Sequence, residues 1–208
     1  MFFLTVFLRI YRIEGKFNFN AEYNYKLWPI KEIVYDKKIR LIGIEAVSYL
    51  HHLHYPPLAL YIFAPVLYLG KANPLSIEVA LIFLNGITSI LIFYLGAKLF
   101  GLKTGLFAGL IYALSFFVQR ADRFIWVVGP LLFFTVVYLI AVNEIFGKKK
   151  DTLLLFFLLG AIVGIALNFH FQAAAFVFVT LMLVFFNYSL KNALKSLTAF
   201  FLGVAFLI

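Results

Sequence analysis

The sequence contains no cysteine, and only 13% of its residues are charged. The first absence excludes disulfides and thiolate metal sites, and leaves the compartment otherwise open. The second excludes an ordinary soluble domain. With 64% hydrophobic residues in a chain of 208 and a mean hydropathy of +1.01, a single core cannot hide the apolar surface. Also absent are a phosphate-binding glycine loop, a Ser/His/Asp arrangement and a nucleotide-sugar motif in a soluble domain. The N-terminal apolar run leads into Arg9 and Arg12 without a small-residue cleavage site, so no cleavable signal is read.

What the chain does have is aromatic and apolar. It holds 27 Phe and 12 Tyr, a load that suits lipid-facing surfaces and interfacial belts. Apolar runs cover roughly 1–11, 57–70, 76–100, 105–118, 124–146, 152–168, 171–187 and 196–208. A helix needs about 20 residues to cross hydrocarbon, with roughly 17–25 tolerated. Segments 76–100 and 124–146 meet that easily, while 152–168 and 171–187 meet it narrowly. Segment 105–118 spans only if Leu102 joins it and Lys103 snorkels to the interface.

The net charge of +9 is carried in short clusters between apolar runs, so it reads as membrane orientation and not as nucleic-acid binding. The clusters Lys98/Lys103, Lys148/Lys149/Lys150 and Lys191/Lys195 are each separated by two apolar runs. Two crossings return a chain to the same face, so all three are expected on the cytoplasmic side. That places the turn around Arg120–Arg123 outside, with everything from about Glu14 to Ala72. Segment 57–70, opened by Pro56-Pro57 and closed by Gly70-Lys71, is then a re-entrant or juxtamembrane helix and not a full span. An ordinary short span is the alternative. The expected fold is an all-α, polytopic transmembrane bundle of about seven crossings in one module, 1–208. It comprises a partial first span (1–13), a first outer loop with juxtamembrane helices (14–74) and the remaining spans (75–208). Both ends read as cut, the C-terminal one inside an apolar run.

The outer loop carries the chemistry. Residues 14–56 hold five of the nine acidic residues and three of the four histidines. The run Phe17-Asn18-Phe19-Asn20-Ala21-Glu22-Tyr23-Asn24-Tyr25 precedes a predicted short helix, Leu27 to Tyr35. A second polar-aromatic cluster follows at Tyr49, His51, His52, His54 and Tyr55. Long loops between spans are more often functional than connecting. His-His-Leu-His contains no i,i+4 pair and lacks an acidic ligand at fixed spacing, so no metal ligands are assigned. His170 reads as an interfacial polar residue, and Glu78 and Glu144 as acids at the ends of spans.

These residues resemble a family. Leu8-Arg9-Ile10-Tyr11-Arg12, followed by the Phe-rich turn with Glu22, is similar to the start of the GT-C membrane glycosyltransferases. The likeness is to family 39 and its bacterial relatives: protein O-mannosyltransferases, aminoarabinose transferases and Rgt-type sugar transferases. Tyr55-Pro56-Pro57-Leu58 is similar to that family's His/Lys-Pro-Pro-Leu element. Ala121-Asp122-Arg123-Phe124-Ile125-Trp126 resembles its Ser-Arg-x-x-Trp element. The resemblance implies transfer of a sugar from a polyprenyl-phosphate donor to a cell-envelope acceptor on the outer side of the plasma (inner) membrane.

It also implies roles. An inverting transfer needs a carboxylate to take the acceptor's proton. The family places an aspartate there; here Glu22 inherits the role, against the alternative of a solvated interfacial acid. Arg120 and Arg123 fit the lipid phosphate of the leaving group, against headgroup anchoring. Asp122 orients an arginine or serves as a second acid. His54, Tyr55, Trp126 and Lys31 are further candidates for donor or sugar binding. No cofactor is assigned and a divalent metal ion is left open. Two other classes stay in view: a transporter or lipid flippase, which should carry midplane ionisable residues or broken helices, and a non-catalytic membrane subunit of the same descent.

Overall fold

A computed structural model describes residues 1–16, 21–45, 53–121, 128–148 and 152–208. Within these, eleven α-helices follow in order. They are α1 (Phe2–Ile10), α2 (Ile13–Lys16), α3 (Ala21–Tyr35), α4 (Leu58–Leu69), α5 (Leu75–Phe100), α6 (Leu102–Leu114), α7 (Phe116–Ala121), α8 (Val128–Val142), α9 (Leu153–Phe169), α10 (Ala174–Asn187) and α11 (Leu190–Ala205). A π-helical turn, Asn143–Gly147, prolongs α8, and a 3-10 turn, Phe171–Ala173, precedes α10. The chain is an all-α bundle, as its apolar runs predict. Two helical stretches, Leu75–Phe100 and Pro130–Gly147, are long and apolar enough to cross a membrane. Leu58–Leu69, Leu102–Leu114, Leu153–Phe169 and Phe171–Asn187 are shorter apolar helices.

Several boundaries differ from expectation, each for a local reason. The helix expected at Leu27 begins at Ala21, because Ala, Glu and Lys favour helix and outweigh the intervening aromatics. The apolar run 105–118 is two helices. The backbone turns extended at Ser115 (ψ 115°), and the Val118 N–H reaches the Ser115 hydroxyl at 3.4 Å, so a serine ends α6 and starts α7. Helix α11 starts before its apolar run and takes in Lys191 and Lys195.

Helices meet where side chains are small, the usual packing device in apolar bundles. The turn between α5 and α6 is made by Gly101 at φ 95°, a conformation costly for other residues. Above it the backbones close up so tightly that a Cβ at Gly96 would lie 2.9 Å from the Gly105 Cα. Helices α9 and α11 approach likewise, with Gly160 against the Phe200 backbone and Gly203 against that of Phe157. Their shared core includes Phe156, Leu159, Val163, Ala193 and Phe200.

The two ends of the bundle are chemically distinct. At one end Glu144 pairs with Lys98 and, at 3.1 Å, with Lys148. Tyr188, just before α11, brings its ring 6.0 Å from Phe146. Lys98 and Lys148 therefore share one end of the bundle, and the start of α11, which carries Lys191, lies near it; Lys149 and Lys150 fall outside the described residues. Helix α9 runs from this end to the other, where its last residues meet α4 and Tyr55. That opposite end carries the loop and the candidate site.

Candidate functional site

Helix α3 is divided lengthwise. Leu27, Ile30 and Val34, at helical spacing, are buried in a core with Leu60 and Phe63 of α4 and with Ile77 and Leu81 of α5. The other side carries Tyr25 and Trp28, about half exposed. Pro29 sits inside the helix and has no N–H, so the Tyr25 carbonyl loses its helical donor.

The chain after α3 folds back over it. Glu32 accepts hydrogen bonds from Lys38 Nζ at 2.9 Å and from Arg40 Nε at 3.0 Å, with a further contact from the Arg40 terminal nitrogen. These hydrogen bonds, Lys38's first, hold the Glu32 carboxyl down at about 2, and Glu32 in turn raises the Lys38 ammonium. Tyr61 of α4 clasps the Arg40 backbone from both sides: its hydroxyl accepts from Arg40 N at 2.9 Å and donates to Arg40 O at 3.0 Å. Beyond it the chain pairs antiparallel with the segment entering α4. Gly43 N donates to Tyr55 O, Tyr55 N donates to Ile44 O, and Glu45 and His54 face each other as a bridge.

These pieces enclose a cavity of about 440 Å³ lined by Asn24, Tyr25, Trp28, Pro29, Arg40, Gly43, Ile44, Glu45 and His54. That volume lies within the ~300–1,000 Å³ common for small-molecule sites. Its chemistry is mixed: two aromatic rings, an amide, one guanidinium, one carboxyl and one imidazole.

Tyr55, bonded through its backbone to Gly43 and Ile44 of that wall, is the floor on which the loop rests. It is buried, stacks on Phe171 at 4.6 Å and lies 6.1 Å from the His170 ring. Burial pushes the Tyr55 phenol up, and burial followed by the Lys26 charge lowers the His170 imidazole. Asn168 ties this floor to the bundle. Its Oδ1 accepts from Leu58 N at 3.0 Å, at the first turn of α4, while its Nδ2 donates to Gly164 O at 2.9 Å and Leu207 O at 2.8 Å.

Of the residues singled out from sequence, His54 lines the cavity, and its neighbour Tyr55 does not. Lys31 is not a lining residue either, but its ammonium sits over the ring of the lining residue Trp28, 5.1 Å from the centroid. Position 22 falls on α3 one turn before Tyr25, and position 120 falls on α7. Asp122, Arg123 and Trp126 lie outside the described residues, as do Tyr49, His51 and His52. Among the described residues no three His, Asp, Glu or Cys side chains gather as a metal site.

Sequence reasoning missed two features. The first is Arg40 and its partner Glu32; the spacing Glu32, Lys38, Arg40 at the end of a helix was the available signal. The second is a buried polar cluster between α1, α5 and α6. Arg9 is fully buried, donates to Thr5 O at 3.3 Å and Ala113 O at 3.4 Å, and lies 5.3 Å from the Tyr112 ring centroid. Tyr112 in turn donates to Asn85 Oδ1 at 3.1 Å, and Gln119 Nε2 also donates to Ala113 O. Glu78, expected at a wet interface, is buried. An ionisable side chain inside an apolar bundle is costly and marks a position of consequence; Asn85 within its long apolar run was the visible hint.

Neither curated proteins nor solved structures give a significant match to this chain. A family model does: residues 54–208, three quarters of the chain, match the one described as dolichyl-phosphate-mannose-protein mannosyltransferase. The match opens at His54 in the cavity wall and runs through every helix from α4 onward, and so the chain belongs to this family of membrane glycosyltransferases.

Proposed function

We propose that the protein transfers a sugar from a polyprenyl-phosphate-linked donor to a cell-envelope acceptor, a lipid, glycan or protein, on the extracytoplasmic face. Membership of the mannosyltransferase family over residues 54–208 is the observation that carries this reading. The two ends of the bundle support the sidedness. The lysine-rich end suits the cytoplasmic surface of a multi-pass plasma-membrane protein, and the cavity lies at the other end.

In the reaction the acceptor hydroxyl oxygen attacks the anomeric carbon from the face opposite the phosphate. The new C–O bond forms as the bond to the phosphate oxygen breaks, and its electron pair leaves with the lipid phosphate. Glu22 takes the hydroxyl proton, which makes the oxygen a better nucleophile as the bond forms. Position 22 falls on α3 one turn before the lining residue Tyr25, which supports this assignment. Arg120 and Arg123 receive the negative charge of the leaving phosphate, a pairing suited to the planar guanidinium. Asp122 orients them, while Trp126, His54 and Tyr55 shape the sugar-binding surface. Lys31, held over Trp28, contributes charge near the loop.

The test is transfer from a radiolabelled polyprenyl-phosphate sugar by the full-length protein in membranes, beside Glu22→Gln. Removing a general base should slow transfer about 100-fold or more. Equal transfer by both proteins would reject Glu22 as the base. No transfer from any of a broad donor panel would reject the enzyme reading.

A further inference from the structure

We infer that the cavity between α3 and the 40–45 segment is an acceptor subsite that binds an uncharged sugar ring. The inference rests on the transferase reading above, which supplies the acceptor. Three observations carry it.

The first is composition. Tyr25 and Trp28 present aromatic rings at the mouth, half in water, while Asn24, Glu45 and His54 place hydrogen-bonding groups around the same space. Ring C–H faces on aromatic planes, with hydroxyls met by amide, carboxyl and imidazole, is how a neutral sugar is held.

The second is charge. A lipid phosphate needs uncommitted cations, and Arg40 is the one cationic side chain among the described residues that line the cavity. It is already bound to Glu32 through two nitrogens and shares the wall with Glu45. Among the described residues the lining thus sets one cation beside one carboxylate, and all of those lining residues lie between 24 and 54, with none from the long apolar helices that would border a polyprenyl tail. That lining suits a neutral ligand better than a lipid phosphate.

The third is where the family match begins. It opens at residue 54, so of the lining residues only His54 falls inside it. The cavity wall is thus built almost wholly from residues outside the matched stretch, and a preference for one acceptor can be set there without altering the helices that the match covers.

The experiment uses the full chain in nanodiscs with methyl glycosides of several hexoses and pentoses as probes, read by saturation-transfer NMR. At least one glycoside should bind, about tenfold more weakly to Trp28→Ala and at an intermediate level to Trp28→Phe. Dodecyl phosphate should not displace it. Trp28 is half exposed while Leu27 and Ile30 hold the helix, so both variants keep the fold. In the transfer assay Trp28→Ala should raise the acceptor KM and leave the donor KM unchanged. Binding that is indifferent to Trp28, no glycoside bound, or displacement by dodecyl phosphate overturns the proposal. Glycoside binding without any transfer would leave the subsite standing and remove the transferase reading instead.

Discussion

Replacing Gly43 by alanine would press a methyl group against the Tyr55 carbonyl oxygen, 2.8 Å from the Pro56 oxygen and 3.0 Å from the Tyr55 carbonyl carbon. Ordinary carbon contact begins near 3.4 Å, so the two backbones must part by at least half an ångström. The Tyr55 side cannot yield. Its ring is buried against Phe171, and the α4 turn that follows is held by Asn168. Movement therefore falls on residues 43–45, and it strains the bonds Gly43 N to Tyr55 O at 3.0 Å and Tyr55 N to Ile44 O at 2.9 Å. Such a bond contributes about 0.5–1.5 kcal/mol net, and overpacking costs about 1–3 kcal/mol. With both bonds strained the local penalty is then about 2–6 kcal/mol. Because the damage is confined to one edge of the loop, it should appear as local opening and not as loss of the bundle. Hydrogen exchange in nanodiscs should show the amides of residue 43 and Tyr55 exchanging about thirtyfold faster or more, with α9 unchanged. Wild-type protection there would refute the reasoning, since it would mean the pairing tolerates a side chain at that contact.

Three further outcomes follow from other contacts. Asn168→Ala removes the partner of Leu58 N and of Leu207 O; each buried group left unpaired costs about 1–3 kcal/mol, so the apparent Tm in nanodiscs should fall, and an unchanged Tm would show these bonds carry nothing. Glu32 has its folded pKa depressed from 4.5 to about 2, so its stabilisation of the 36–42 turn is present above 4.5 and is lost as the pH falls through 2. In a Trp126→Phe background, Trp28 fluorescence should shift across that window, and Glu32→Gln should abolish the shift. Gly160→Val would push α9 off the Phe200 backbone at a cost of about 1–3 kcal/mol, and differential scanning should show a lower Tm; equal melting would mean the helices are not in such close contact.

Apolar periodicity and charge placement made the bundle and its two ends legible, because crossing hydrocarbon constrains both length and lysine position. The lysine spacing anticipated that Lys98 and Lys148 would lie at one end, though not that they would share Glu144 as a partner. Capping chemistry decided the interruption at Ser115, and a smooth apolar run conceals it. The site was legible in part. His54 and Tyr55 stood out through the Pro-Pro element, and the loop was recognisable by its acids and aromatics. Arg40 and Gly43 were not, since their importance comes from folding back on α3, a contact no local pattern encodes. Arg9 looked like a flanking charge because burial is a property of three helices meeting, and only its own helix is local in sequence.

Asn168 has a consequence for how the protein is made. The residue that completes the first turn of α4 lies 110 positions further along the chain. The Phe171 ring that seats Tyr55 comes later still. A nascent chain delivers α3, α4 and the cavity-lining loop early, yet their base cannot be set until α9 has been synthesised and inserted. Through that interval the loop exists with its walls made and its floor missing. The last step in building the cavity is thus the arrival of a helix that contributes nothing to its lining, and a polypeptide arrested before residue 168 would expose the loop without shaping it.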